Sequence, residues 1–240
     1  AHSWTRSTAG GLAPTGRTSC SAVRGRMPRG CVLLHAPAQV FQAPGGGENQ
    51  LVRTARELDR HGILIRPFLP WSDDIKHASV LHLFGMSREG LELARVAKAR
   101  SVPVVLSTIC WLDSRAAWSL APNLGRAILG VLGLAARRVS SRCPSWRREL
   151  VHLADRLLPN SHAEATQLIR YFGARPERIT VVPNGFDARL QKGNAERFRA
   201  RHGGEPFVLF AGRVEPRKNL LGLIQSARSE GLRLVVAGGE

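Results

Sequence analysis

Two cations near the carboxyl end of the chain are the first candidates for chemistry. Arg213 and Lys218 stand in GRVEPRKNLLGLI, residues 212–224, which follows an apolar run, and Pro216 between them suits the start of a helix. A strand that leads into a helix here would place both cations near the positive end of the helix dipole. This pattern is typical of a diphosphate site, and the alternative is a solvated basic turn.

A run of glycines after the first apolar segment is the second candidate. Gly45, Gly46 and Gly47 precede a helical pattern, where glycine lets the backbone approach a ligand and free N–H groups attract anions or sugar hydroxyls. The run does not match G-x-G-x-x-G, and no acidic residue ends the second predicted strand to hold a ribose. These departures disfavour a nicotinamide-dependent dehydrogenase. A turn without a ligand is the alternative.

Asparagines beyond two predicted strands form the third candidate. PNSHAE, residues 159–164, and VVPNGFD, residues 181–187, each place an Asn just past a strand end, and Asn184 is followed by Gly185. Ligands of doubly wound sheets bind beyond the carboxyl ends of the strands. An isolated Asn at such a point is also a common turn former.

The elements that position these residues alternate between strands and helices. The predicted strands are 31–36, 63–69, 79–84, 103–107, 156–159 and 179–183. The predicted helical regions are 48–61, 88–99, about 122 to 153, and 162–172, the last beginning at a capping box formed by Ser161 and Glu164. Strands that are apolar on both faces indicate an α/β fold with a doubly wound parallel sheet.

Changes in composition divide the chain. Residues 1–30 have no hydrophobic period, and we expect residues 1–26 to be a disordered, non-native extension before a start at Met27, with a transit peptide as the alternative. Residues 27–186 form the first predicted domain, 187–205 a polar linker, and 206–240 the start of a second α/β domain. Strand, loop and helix recur at 31–60 and 207–229, as two similar domains would show.

The chain is strongly basic, with 35 Lys and Arg against 18 Asp and Glu and a formal net charge of +17. This balance favours an anionic partner: a polyanion, an anionic membrane or a phosphorylated substrate. Aromatic residues make up only 6% of the chain, so the stacking that nucleic-acid binding uses has little support. The four cysteines contain no C-x-x-C pair, which indicates neither a zinc site nor a disulfide framework and fits a reducing cytosol.

One region combines basic and apolar character. Residues 114–148 contain no acidic residue, and arginines accompany the apolar run 127–136: Arg115, Arg126, Arg137, Arg138, Arg142, Arg147 and Arg148. We expect the region 115–148 to lie on an anionic membrane surface. The alternative is a core helix with a solvated basic face. The apolar run is too short to cross a bilayer, which takes about 20 residues.

In order, GGGE, PNS, ITVVPNGFD, FAGRVEPRKNL and LVVAGG resemble the retaining glycosyltransferases of family 4, over residues 31–240. The resemblance implies a GT-B fold: two Rossmann-like domains, the acceptor on the first and a UDP- or GDP-linked sugar on the second. It implies that Arg213 and Lys218 bind the donor diphosphate and neutralise the charge that grows as the glycosidic bond breaks, without a metal or cofactor.

The resemblance also assigns further contacts and shows two departures. It implies that donor or acceptor is bound by Gly45, Gly46, Gly47, Asn184, Gly185 and Gly212. A His that many members carry after the fourth strand is replaced by LSTICWLD, residues 106–113, and His82 is expected to be structural. The family's paired glutamates, eight positions apart, are not in the sequence. We therefore expect residues 1–240 alone to be inactive, with an open sheet edge and an uncovered apolar helix face.

These observations predict a cytoplasmic glycosyltransferase that is peripheral on the inner face of the plasma membrane and acts on a lipid-linked or polysaccharide acceptor. Two other classes remain open. One is a non-catalytic nucleotide-sugar-binding protein or an epimerase-type GT-B enzyme. The other is a basic nucleic-acid-binding protein, which charge alone suggests, and no specific nucleic acid is expected as a partner.

Overall fold

The computed structural model describes residues 30–37, 46–112, 114–119, 121–140, 142–186 and 193–238. The predicted extension 1–26, Met27 and Gly45 lie outside these residues. No helix in the described part of the chain is both long enough and apolar enough to span a bilayer. The same residues contain no cluster of three or more His, Cys, Asp or Glu side chains that could hold a metal ion.

Five parallel strands form the first sheet, in the order β2-β1-β3-β4-β5. They are β1 (Val32–His35), β2 (Ile65–Pro67), β3 (Val80–Phe84), β4 (Val104–Ser107) and β5 (Arg156–Leu158). Each lies within a predicted strand. The parallel order confirms the Rossmann-like, doubly wound domain of the GT-B type.

Six helices accompany this sheet: α1 (Gly46–Arg60), α2 (Arg88–Ala99), α3 (Ser114–Ser119), α4 (Leu124–Val139), α5 (Trp146–Leu153) and α6 (His162–Phe172). The predicted bounds of α2 and α6 are correct. The region predicted from 122 to 153 divides into α4 and α5. The backbone leaves the helical conformation at Ser140, which has a φ of −142°, and Ser145 caps a new helix after Pro144 by accepting the Arg148 N–H.

The core lies between the central strands and the helices that cover them. Leu33, Leu81, Leu83 and Leu106 from the strands are fully buried, and α6 adds Phe172 from one side. Each such side chain stabilises the fold by roughly 1.5 to 3 kcal/mol. The carboxyl ends of the strands are thereby held together along one edge.

The predicted strand at 179–183 is wrong. Thr180 N–H donates to the Leu157 carbonyl at 2.9 Å and Val182 N–H donates to that of Pro159 at 2.9 Å, yet only an isolated bridge between Leu157 and Ile179 forms. To continue the parallel ladder, the N–H of residue 159 would have to donate to the Thr180 carbonyl. Residue 159 is a proline and has no N–H, so the pairing stops after this single bridge and no strand forms.

A second, smaller unit follows. The strands β6 (Val208–Ala211) and β7 (Leu234–Ala237) are parallel and are connected through α8 (Leu220–Ser229). The predicted linker 187–205 is not wholly irregular, because residues 195–202 form α7 (Ala195–His202), and the ring of Phe198 lies 5.0 Å from that of Phe207. The division into domains remains a prediction. As expected, apolar side chains of this unit are exposed: Leu209, Leu221, Ile224 and Val236.

Candidate functional site

The strand order predicts that a ligand binds at the carboxyl ends of β1 and β3. The chain moves from β1 outward to β2 and then returns on the other side of β1 to form β3, which makes this pair the topological switch point. His35 ends β1 at this point. The Gly46 and Gly47 end of α1 follows it in the chain.

His35 is a candidate that the sequence reasoning missed. Its side chain is 7% exposed, its Nε2 makes no hydrogen bond within the described residues, and Glu89 Oε1 lies 3.8 Å away. Burial lowers the pKa of His35, while the nearby Glu89 carboxylate acts in the opposite direction. The only signal in the sequence is a polar residue that ends the apolar run VLLH.

A buried carboxylate organises the segment after β4. Glu164 in α6 is 4% exposed, and its Oε1 accepts the Thr108 hydroxyl at 2.5 Å and the Cys110 N–H at 2.6 Å. Its Oε2 accepts the Asn160 N–H at 2.8 Å. The predicted capping box is half correct: Ser161 Oγ accepts the Glu164 N–H at 3.1 Å, but the carboxylate turns to Thr108, Cys110 and Asn160 instead of the Ser161 N–H.

The segment LSTICWLD carries local strain where the family's His was expected. Ile109 has a φ of 42°, a left-handed conformation that is rare for a β-branched residue. Burial raises the pKa of the neighbouring Cys110 to about 11, against the opposing effect of Arg147. Cys110 is therefore a neutral thiol at pH 7 and not an activated nucleophile. Trp111 beside it is 64% exposed.

His82 has a structural environment, as the sequence suggested. It lies in the middle of β3 at 6% exposure, and its Nε2 lies 3.0 Å from the Ser107 hydroxyl of the neighbouring strand. Burial lowers the pKa of His82 to about 4, so the ring is neutral at pH 7. The pair joins the middle of β3 to the carboxyl end of β4.

The glycines at the start of α1 are not required by packing. Gly46 and Gly47 are the first two residues of α1, and a Cβ added to either would meet no atom within 4 Å. Gln50, one turn later, donates from Nε2 to Asn160 Oδ1 at 3.1 Å. This bond joins the start of α1 to the end of β5, so the glycines and Asn160 lie at the same edge of the sheet.

The carboxyl ends of β6 and β7 are packed backbone against backbone. Gly212 has a φ of 151°, and its N–H donates to the Ala237 carbonyl at 2.9 Å. A Cβ on Gly238 would lie 1.9 Å from the Gly212 carbonyl oxygen. Arg213 leaves this junction directly; its side chain is 42% exposed, and its Nε lies 3.9 Å from Glu215 Oε1.

The connection 212–219 between β6 and α8 contains Gly212, Arg213 and Lys218. Lys218 was predicted in the first turn of the helix, but Pro216–Lys218 form a 3-10 turn and Asn219 adopts φ 50° before α8 begins at Leu220. Lys218 is exposed in this turn, just ahead of the positive end of the α8 dipole. The two cations therefore share one exposed loop whose chemistry suits an anion.

Asn184 and Gly185 do not lie on a helix or strand. They belong to the exposed segment that continues from Thr180 past the edge of the first sheet, and a Cβ on Gly185 would meet no atom within 4 Å. Their expected role in binding remains a prediction.

Comparison with known proteins identifies the family. The profile of Glycosyltransferase Family 4 matches residues 44–190. The chain is similar to the D-inositol 3-phosphate glycosyltransferase of Nocardia farcinica, with 38% identity over 38% of this chain and 23% of that protein. It is also similar to the proteins of the same name from Rhodococcus opacus, with 30% identity over 54% of this chain and 34% of that protein, and Acidothermus cellulolyticus, with 34% identity over 53% and 27%.

The chain thus matches between 23% and 34% of the length of these relatives. The matched residues 44–190 make up more than half of the 240 residues and include α1 through α6 with strands β2 to β5. The chain belongs to Glycosyltransferase Family 4.

Proposed function

We propose that the protein transfers a sugar, with retention of configuration, from a UDP- or GDP-linked donor to a lipid-linked or glycan acceptor. The observation that supports this most is the exposed loop 212–219, where Arg213 and Lys218 stand between β6 and the amino end of α8. Two cations and a helix dipole at one strand end form a suitable site for a diphosphate. No metal or cofactor is proposed.

In this reaction the bond between the sugar and the donor diphosphate breaks, and negative charge grows on the departing diphosphate. The Arg213 guanidinium and the Lys218 ammonium stabilise that charge as it forms, which lowers the barrier. A hydrogen bond to a charged group is worth roughly 1.5 to 3 kcal/mol. The packed glycines Gly212 and Gly238 hold the start of this loop in place.

The acceptor would bind at the switch point of the first sheet, near His35 and the start of α1 at Gly46 and Gly47. The relatives are named for D-inositol 3-phosphate, which makes a polyol phosphate the first soluble acceptor to assay beside glycan and lipid-linked acceptors. The proposed location is the cytoplasmic face of the plasma membrane, which the basic region 115–148 would contact.

The test is a transfer assay on the full-length product of the gene. Arg213→Ala and Lys218→Ala should each lower kcat by about tenfold to a hundredfold, because each removes one charged hydrogen bond to the leaving group. Arg228→Ala removes the same charge from the far end of α8, where the side chain is exposed, and should leave transfer unchanged. Nuclear magnetic resonance of the product reports the anomeric configuration.

Wild-type transfer by both Ala variants would overturn the role of the loop. A donor that is bound but never transferred, or is converted to a free epimer, would overturn the transferase proposal in favour of a binding protein or an epimerase.

A further inference from the structure

The solvent face of α4 is apolar along its whole length. Five large side chains on it are exposed by between 42% and 90%: Leu124, Ile128, Leu129, Leu132 and Val139. The opposite face carries Ala127 and Leu134, which are buried. A surface helix ordinarily turns polar side chains to the solvent. The helix α4 departs from this pattern, because it has apolar residues on both its buried and its exposed face.

Cations border this apolar face. Arg126 and Arg138 are exposed and Arg137 is half-buried on α4, and residues 114–148 contain no acidic residue. The short helix α3 packs beside α4, where a Cβ on Gly130 would lie 3.5 Å from that of Ala117. Trp118 on α3 is a further large apolar side chain that is exposed, by 53%.

From this arrangement we infer that α3 and α4 form a docking surface for an anionic lipid membrane. The apolar face of α4 enters the boundary between head groups and acyl chains, and the bordering arginines contact lipid phosphates. With 16 residues α4 is about 24 Å long, which is too short to cross the bilayer, so it lies in the plane of the membrane. This inference rests on the membrane contact of the proposed function and names the surface that makes it, α3 and α4.

A second copy of the chain is the competing occupant, and charge disfavours it. An interface between two α4 faces would bring two arginine-bearing, acid-free surfaces together, and the chain carries a formal net charge of +17. The arginines that repel a second copy attract an anionic membrane.

Vesicle co-sedimentation of the full-length protein tests the inference. Vesicles of equal parts phosphatidylglycerol and phosphatidylcholine should retain the protein, and retention should fall steeply with salt. Leu132→Asp should weaken the partitioning by about tenfold or more, because it places a charge in the apolar contact. The matched control is Leu69→Asp, which changes a leucine of similar exposure, 52% against 59%, on the β2 side of the fold. It should change the partitioning by less than about threefold.

Equal binding of the two Asp variants would show attraction by charge alone and would overturn the inference, as would absent binding of the wild type. Sedimentation without vesicles gives the remaining outcome: a wild-type dimer that Leu132→Asp converts to a monomer would assign the face to a second copy. The assay contains no nucleotide-sugar and no acceptor. A failure of membrane docking is therefore distinct from a failure of sugar transfer.

Discussion

Thr108 donates its hydroxyl to Glu164 at 2.5 Å, across 56 residues of sequence, and this bond joins the segment after β4 to the first turn of α6. The same carboxylate accepts two backbone N–H groups, those of Cys110 and Asn160. One buried side chain thus satisfies three donors from two connections at the carboxyl edge of the sheet.

Replacing this carboxylate should cost more stability than any surface acid. Glu164→Ala leaves the donors of Thr108, Cys110 and Asn160 without their acceptor, and each buried orphan costs about 1 to 3 kcal/mol. We expect a loss of about 3 kcal/mol or more in the free energy of unfolding, measured by urea denaturation. Glu57→Ala removes an exposed carboxylate that pairs with Arg60 and should cost less than about 1 kcal/mol. Equal losses would contradict the network.

The burial of His82 makes stability depend on pH. Its pKa falls from an ordinary value of 6.5 to about 4 in the folded state, so the unfolded chain binds the proton more readily. Above about pH 6.5 the His82 ring is neutral in both states and does not reduce the free energy of unfolding. As the pH falls from about 6.5 to about 4, protonation of the unfolded chain lowers the free energy of unfolding by up to about 3 kcal/mol. His82→Gln cannot titrate and should flatten this part of the stability profile, measured by urea unfolding at a series of pH values. Parallel profiles for the two proteins would contradict the assignment.

The close contact between the ends of β6 and β7 excludes any side chain at Gly238. Gly238→Ala would place a Cβ 1.9 Å from the Gly212 carbonyl oxygen and force the strand ends apart. Such overpacking should cost about 1 to 3 kcal/mol. Gly204→Ala, where a Cβ would meet no atom within 4 Å, should change the free energy of unfolding by less than about 1 kcal/mol. If the two variants have equal free energies of unfolding, the strand ends can separate without cost and the prediction is wrong.

The left-handed backbone conformation of Ile109 should make a substitution by a residue that tolerates this conformation less destabilising than the same substitution elsewhere. Asn adopts this conformation at less cost than a β-branched residue, by about 1 to 2 kcal/mol. Ile109→Asn should therefore be less destabilising than Ile63→Asn by about 1 kcal/mol, because Ile63 is similarly exposed, 40% against 43%, without a positive φ. Thermal unfolding of both variants measures this difference, and the reverse order would show that Ile109 is not strained.

Local patterns predicted the regular elements well. The bounds of α2 and α6 could be read from hydrophobic spacing, and the start of α6 also from its cap Ser161, which are properties of neighbouring residues. The alternation of apolar strands with helices was enough for the parallel, doubly wound class. The order of the strands in the sheet and the partners of each side chain needed the structure.

Where a residue's partner is distant in the sequence, the sequence misled or was silent. The strand predicted at 179–183 does not form because Pro159, directly after β5, has no N–H to donate. The Glu164 carboxylate accepts from Thr108 and Cys110, more than 50 residues away, instead of completing the local capping box. No sequence pattern marked His35 as a candidate, because its burial at the switch point depends on the assembly of the sheet.

The sequence by itself determined the cationic loop at 212–219, the acid-free basic region and the class of fold, because residue type and spacing are local properties of the chain. Only the tertiary structure decided which face of α4 meets the solvent, since that depends on which side packs against α3 and α6. Burial and hydrogen-bond partners depend on contacts between distant segments, which no local period encodes.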